Sequence, residues 1–143
     1  MDFITVLKNA QEYLNIHGDD GWLLYDYQNM NPIFWETVGH ISNVTRPCWL
    51  WIPKNDEPIL LTSYVDKGRF SLLDIQVNSF INREEMIESL STILSKQKRI
   101  LMEYSPSNLL PRVSKVDAGT IELVKQFGVE IIPSRNIIQY ATQ

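Results

Sequence analysis

Three carboxylates stand where a sheet could present them to a ligand. Asp26 closes the apolar run Trp22-Leu23-Leu24-Tyr25, Glu103 follows Ile100-Leu101-Met102, and Glu36 lies in the segment between them. Acidic side chains gathered at the C-terminal edge of neighbouring strands hold magnesium in ribonuclease H-like sites, so Asp26 and Glu103 suggest one chemistry, metal-dependent phosphodiester cleavage. The charge balance opposes it. Thirteen basic residues against seventeen acidic give a net charge of −4, the wrong sign for a phosphate-backbone partner. The one dense basic cluster, Lys96, Lys98 and Arg99, falls at a predicted helix end, where cations complement the macrodipole. Asp26 precedes YQNMNP, and a carboxylate there is equally suited to capping a turn.

Other chemistries find less support. A dinuclear metallohydrolase needs several carboxylates, usually with a histidine, around two cations that share a bridging water. Of the two histidines, His17 ends a predicted surface helix beside Gly18 and His40 follows Gly39, with no carboxylate at ligand-like spacing, so exposed or capping roles are expected for both. The single Cys48 excludes an internal disulfide and a multi-cysteine zinc site; flanked by Trp49 and Leu50, it reads as a buried thiol. No GxSxG, GxGxxG or P-loop pattern occurs. Trp49 and Trp51 share one face of a predicted strand and Trp22 lies in a buried run, so these three indoles read as packing. Trp35, on a short helix after a loop, is expected to be the exposed one.

The elements that would position these residues follow from periodicity. Phe3, Val6, Leu7, Ala10, Tyr13 and Leu14 recur at helical spacing, and Gly18 supplies the stop. Within residues 21–26, Trp22, Leu23, Leu24 and Tyr25 form an unbroken apolar run, as in a central strand covered on both faces. Pro32 suits the first turn of a short helix over 33–38. The runs 48–52 and 59–64, separated by PKNDEP, predict an antiparallel hairpin. Asn82 with Glu85 resembles a capping box, opening a helix with Met86, Ile87, Leu90, Ile93 and Leu94 on one face. A strand over 99–104 follows, then a helix from Asp117 burying Ile121, Val124 and Phe127 and ended by Gly128, then a strand over 129–132. The tail after Pro133 has the pattern of a further helix without a clear cap, like the start of a connection to something more.

These elements predict an α/β domain, a mixed β-sheet with flanking helices. At 143 residues, 44% of them hydrophobic and 21% charged, the chain is sized and composed for one folded core, a single domain over 1–143. No apolar run approaches the roughly 20 residues that span a bilayer. The N-terminus, with Asp2 and Lys8 among its apolar residues, fits a secretory signal poorly, so a cytoplasmic location is expected.

One ordered set of residues adds a resemblance. Asp26 at a strand end, Asn31-Pro32 before a short helix, Thr45-Arg46 before the aromatic strand of Trp49 and Trp51, and Glu57-Pro58 closing a hairpin turn are followed by Asp117-Ala118-Gly119 opening a helix before the last strand. In this order they resemble the N-terminal domain of Xaa-Pro aminopeptidases, prolidases and creatinases, the pita-bread metallopeptidases, over nearly the whole chain. Pro47 departs from the pattern, standing where relatives often look to have a second basic residue, and leaves Arg46 alone.

The resemblance implies a creatinase/prolidase N-terminal domain fold with a ribonuclease H-like motif. It also implies a noncatalytic role: helping to form a homo-oligomer and restricting access of short proline-containing peptides to a dinuclear site. That site, with two divalent ions such as manganese, cobalt or zinc, would lie in a C-terminal catalytic domain that this chain does not carry. Catalytic, cofactor and metal residues are then expected to be none here, with Trp35 and Arg46 as candidate substrate-access or interface contacts. For Arg46 a structural salt bridge is the competing expectation. A stand-alone protein-interaction domain is the other alternative to the carboxylate-metal enzyme; neither nucleic acid nor membrane is expected as a partner.

Overall fold

The computed structural model describes residues 2–40 and 42–143. Helix α1 (Phe3–His17) is capped by the Asp2 carboxylate, which accepts from Thr5 N at 2.9 Å, and ends at Gly18 in the left-handed region. Strand β1 (Gly21–Asp26) runs through the centre of the sheet, followed by α2 (Pro32–Val38). Next come the hairpin β2 (Cys48–Pro53) and β3 (Ile59–Ser63), a 3₁₀ turn at Lys67–Phe70, and β4 (Gln76–Phe80). The second half holds α3 (Arg83–Leu94), β5 (Arg99–Met102), 3₁₀ turns at Pro106–Asn108 and Pro111–Val113, α4 (Ala118–Lys125), β6 (Glu130–Pro133) and α5 (Arg135–Thr142).

The six strands form one mixed sheet in the order β4-β3-β2-β1-β5-β6. β1 pairs antiparallel with β2, Leu23 opposite Trp51 and Tyr25 opposite Trp49, and parallel with β5. Alternation along the strands divides the interior into two layers. Trp22, Leu24, Cys48, Leu50, Ile52, Leu60 and Leu101 pack under α1, α2 and α5, whereas Leu23, Trp49, Trp51, Leu61, Ile100 and Met102 pack under α3 and α4. Gly21 is required by this packing: a Cβ there would stand 2.2 Å from Trp51 Cη2.

The α/β class, the hairpin, and the helices after Asn82, Asp117 and Pro133 match the expectations from sequence. Asn82 accepts from Glu85 N and the Glu85 carboxylate accepts from Ile81 N. Three expectations need correction. Strand β4 was not anticipated, because Gln76–Phe80 is an edge strand with only Val77 and Phe80 apolar. The strand expected over 99–104 ends at Met102, where the chain turns as Tyr104 N donates to Met102 O. Phe127 is half-buried and lies beyond α4, in the turn that Gly128 completes.

Candidate functional site

Because β1 and β5 are parallel neighbours, the sheet brings Asp26 and Glu103 to the same edge, both with no exposed surface. Asn31 joins them. Its backbone N–H donates to Asp26 Oδ1 at 2.8 Å and its side-chain Nδ2 donates to Glu103 Oε1 at 2.8 Å and to Tyr25 O at 2.9 Å. Its Oδ1 accepts from Ile33 N, which makes Asn31 the N-cap of α2. The other Asp26 oxygen accepts from Asn29 N at 2.8 Å. Glu103 Oε2 takes the Trp22 indole N–H at 2.8 Å and the Ser134 hydroxyl at 2.9 Å.

This network fixes the loop that carries the chain from β1 to α2. Gln28 and Asn29 both sit at positive φ, 51° and 61°, a conformation costly for residues other than glycine. Asp26 holds it from below, and Asn29 holds it from the side, donating to Ser42 O and accepting from Val44 N at 3.1 Å. Burial pushes both carboxyls up. For Glu103 the hydrogen bonds from Trp22, Asn31 and Ser134 pull back; for Asp26 the N–H groups of Asn31 and Asn29 do so, with a smaller pull from the Trp35 indole, which is too loosely placed to count as a hydrogen bond.

The arrangement does not fit a metal. Each of the four carboxylate oxygens already accepts from at least one N–H or O–H, and the Asn31 amide fills the space between the two groups that a shared cation would need. Among the described residues no cluster of three or more His, Cys, Asp or Glu side chains has metal-binding placement. Glu36 is exposed on α2 and does not join the pair. The turn-capping reading of Asp26 is the one the geometry realises.

A second carboxylate organises the neighbouring loop that leads into β2. Asp66, with no exposed surface, accepts from Thr45 N at 3.0 Å and Arg46 N at 3.1 Å through Oδ2, and from Arg69 Nε at 3.3 Å through Oδ1. The clamp on the Thr45-Arg46 backbone leaves the Arg46 side chain outward. Among the described residues its guanidinium donates only to Thr45 Oγ1, at 2.9 Å, and the structural salt bridge expected as one reading of Arg46 is not formed there. Arg46 borders a cleft of about 340 Å³ with Pro47, Tyr64, Val65, Ile81 and Arg83.

Trp35 corrects another expectation. It is only 4% exposed, packed on Phe34 and stacked on Phe70 at 6.0 Å between ring centres. Its edge still reaches a cleft of about 870 Å³ beside Pro32, Glu36 and His40. His40 Nε2 is buried with no hydrogen-bond partner among the described residues, contrary to the exposed or capping role expected. His17 is exposed and stacks on Tyr13 at 4.1 Å. Cys48 is fully buried, and burial pushes its thiol well up. The linking role of Asn31 was not read from the sequence. The signal was present, since Asn before the Pro of a helix start is an N-cap with a side-chain amide left to donate.

Known structures match this architecture along most of its length. A proline dipeptidase from Streptococcus agalactiae 2603V is 14% identical with a TM-score of 0.74, covering 95% of this chain and 97% of its own. The Creatinase/Prolidase N-terminal domain of an X-Pro dipeptidase from Streptococcus pyogenes is 15% identical with a TM-score of 0.73, covering 93% and 95%. The fold is that of the creatinase/prolidase N-terminal domain. The prolidase from Pyrococcus horikoshii OT3 shares this domain at 17% identity and a TM-score of 0.69; the match covers 93% of the present chain and 33% of the prolidase chain. The chain therefore spans about a third of that prolidase. No family model and no curated protein matches the sequence. At these identities the likeness is one of fold.

Proposed function

We propose that this chain is the noncatalytic N-terminal domain of a metal-dependent Xaa-Pro peptidase, an aminopeptidase or dipeptidase. One observation carries the reading: the same domain occupies about a third of a prolidase chain, so the rest of such a protein is available to hold the chemistry. In this reading the two divalent ions, whether manganese, cobalt or zinc, belong to a C-terminal catalytic domain, and attack on the Xaa-Pro bond takes place there. The saturated carboxylates of Asp26 and Glu103 support it, because their oxygens are already taken by donors of the chain itself.

The domain's own contribution is shape. It narrows the approach of short proline-containing peptides and supplies part of a homo-oligomer contact. Arg46, outward and without a carboxylate partner among the described residues, and Trp35, at the edge of the larger cleft, are the contacts proposed for those roles.

The test is a comparison within one longer protein. Join this domain to its downstream reading frame and compare cleavage of a proline-containing tripeptide and a long peptide with and without residues 1–143. Deletion should relax the length limit while leaving the metal requirement unchanged. An unchanged length preference would remove the gating role.

A further inference from the structure

The sheet has two edges, and they differ in how they are protected. β6 is four residues long, begins with Glu130, whose carboxylate is paired with Arg99 at 3.6 Å, and ends at Pro133. Charge, proline and short length are the usual means of keeping a sheet edge from adding another strand. β4, five residues long, has neither charge nor proline. From Ile75 to Asn82 the sequence IQVNSFIN carries no charge, no proline and no glycine. β4 pairs on one side only, parallel to β3, so the outer row of its backbone N–H and C=O groups has no strand partner among the described residues.

The flanking side chains reinforce this. Ile81 is 68% exposed just after β4, and Ile75, just before it, is half-buried. The nearest charges are Asp74 before the neutral stretch and Arg83 after it, opposite in sign.

We propose that β4 is a self-association edge, at which a second copy of this chain adds its own β4 antiparallel about a two-fold axis through Asn78. Side chains directly opposite in an antiparallel pair share a sheet face, so a two-fold normal to the sheet passes through a residue position. Centred on Asn78, it sets Ile75 of each copy against Ile81 of the other and Val77 against Ser79. The two ends then bring Asp74 of one copy towards Arg83 of the other. A chain of net charge −4 thereby meets itself along an uncharged strand edge, with opposite charges at both ends. The helices stay on their own faces, and the two six-stranded sheets continue as one. This rests on the self-association proposed above and assigns it a surface.

Because Asn78 faces its own copy, charge substitution there reads out the symmetry. Sedimentation velocity across a concentration series should show a monomer–dimer equilibrium for the unsubstituted chain. Asn78→Lys and Asn78→Glu should each weaken it by about tenfold or more, as like charges are placed face to face. An equimolar mixture of the two variants should restore it. Amide exchange should slow across 76–80 as concentration rises, and circular dichroism of each variant should match the parent, separating lost contact from lost fold. Dimerisation untouched by both variants would overturn the β4 surface while sparing self-association. A chain that stays monomeric throughout would overturn both.

Discussion

Two carboxylate clamps, on either side of Cys48, do the same local task in different surroundings. Asp26 and Asp66 each take two backbone N–H groups of a nearby loop. The first is linked through Asn31 to Glu103, wholly buried, with neutral donors only; the second is met by Arg69, which is 45% exposed. The difference separates structure from surface. Where a buried carboxylate is surrounded by donors it fixes a loop and is unavailable for chemistry. Where the clamp lies near the surface it holds a backbone while turning a cationic side chain, Arg46, outward.

Removing Glu103 should have the largest effect. Glu103→Ala leaves the Trp22 indole buried without an acceptor and strips Asn31 of one of two, a loss expected at about 3 kcal/mol in urea unfolding. Asp66→Ala should cost less, about 1–2 kcal/mol, because the freed Thr45 and Arg46 amides lie closer to water. An Asp66 effect equal to that of Glu103 would break the contrast between the two clamps.

The pH response sharpens it. Burial raises the Glu103 carboxyl in the folded state, so between its unfolded and folded pKa values the native protein binds more protons. Stability from this group is therefore greatest below the unfolded value and falls as pH rises through the folded one. Relative to Glu103→Gln, the unsubstituted chain should gain stability as pH is lowered from neutral towards about 4.5. A difference independent of pH would contradict the assignment. The smallest effect is expected at Arg46, where Arg46→Ala should change stability by less than about 0.5 kcal/mol. A larger loss would make it a structural residue.

How far the sequence could be read depends on whether a signal was local. Helix α1, β1, the β2–β3 hairpin and the capped starts of α3 and α4 were legible because period, cap and turn residues agree within each segment. β4 was not, since an edge strand with a polar majority gains its place from β3, seventeen residues back along the register. Asp26 and Glu103 were correctly placed as neighbours, but their occupancy depends on Asn31, Trp22 and Ser134, which are brought together only by the sheet and the caps of α2 and α5. Trp35 was misplaced for the same reason. Its local context is a short helix after a loop, while its burial comes from Phe70, distant in sequence.

We propose that the catalytic metal site lies outside this domain. The most direct measurement is hydrolysis of an Xaa-Pro dipeptide and a proline-containing tripeptide by the 143-residue chain, with manganese, cobalt or zinc added. No turnover is expected under any of these conditions. Turnover that a chelator abolishes, and that Asp26→Ala or Glu103→Ala removes while the fold persists, would contradict it.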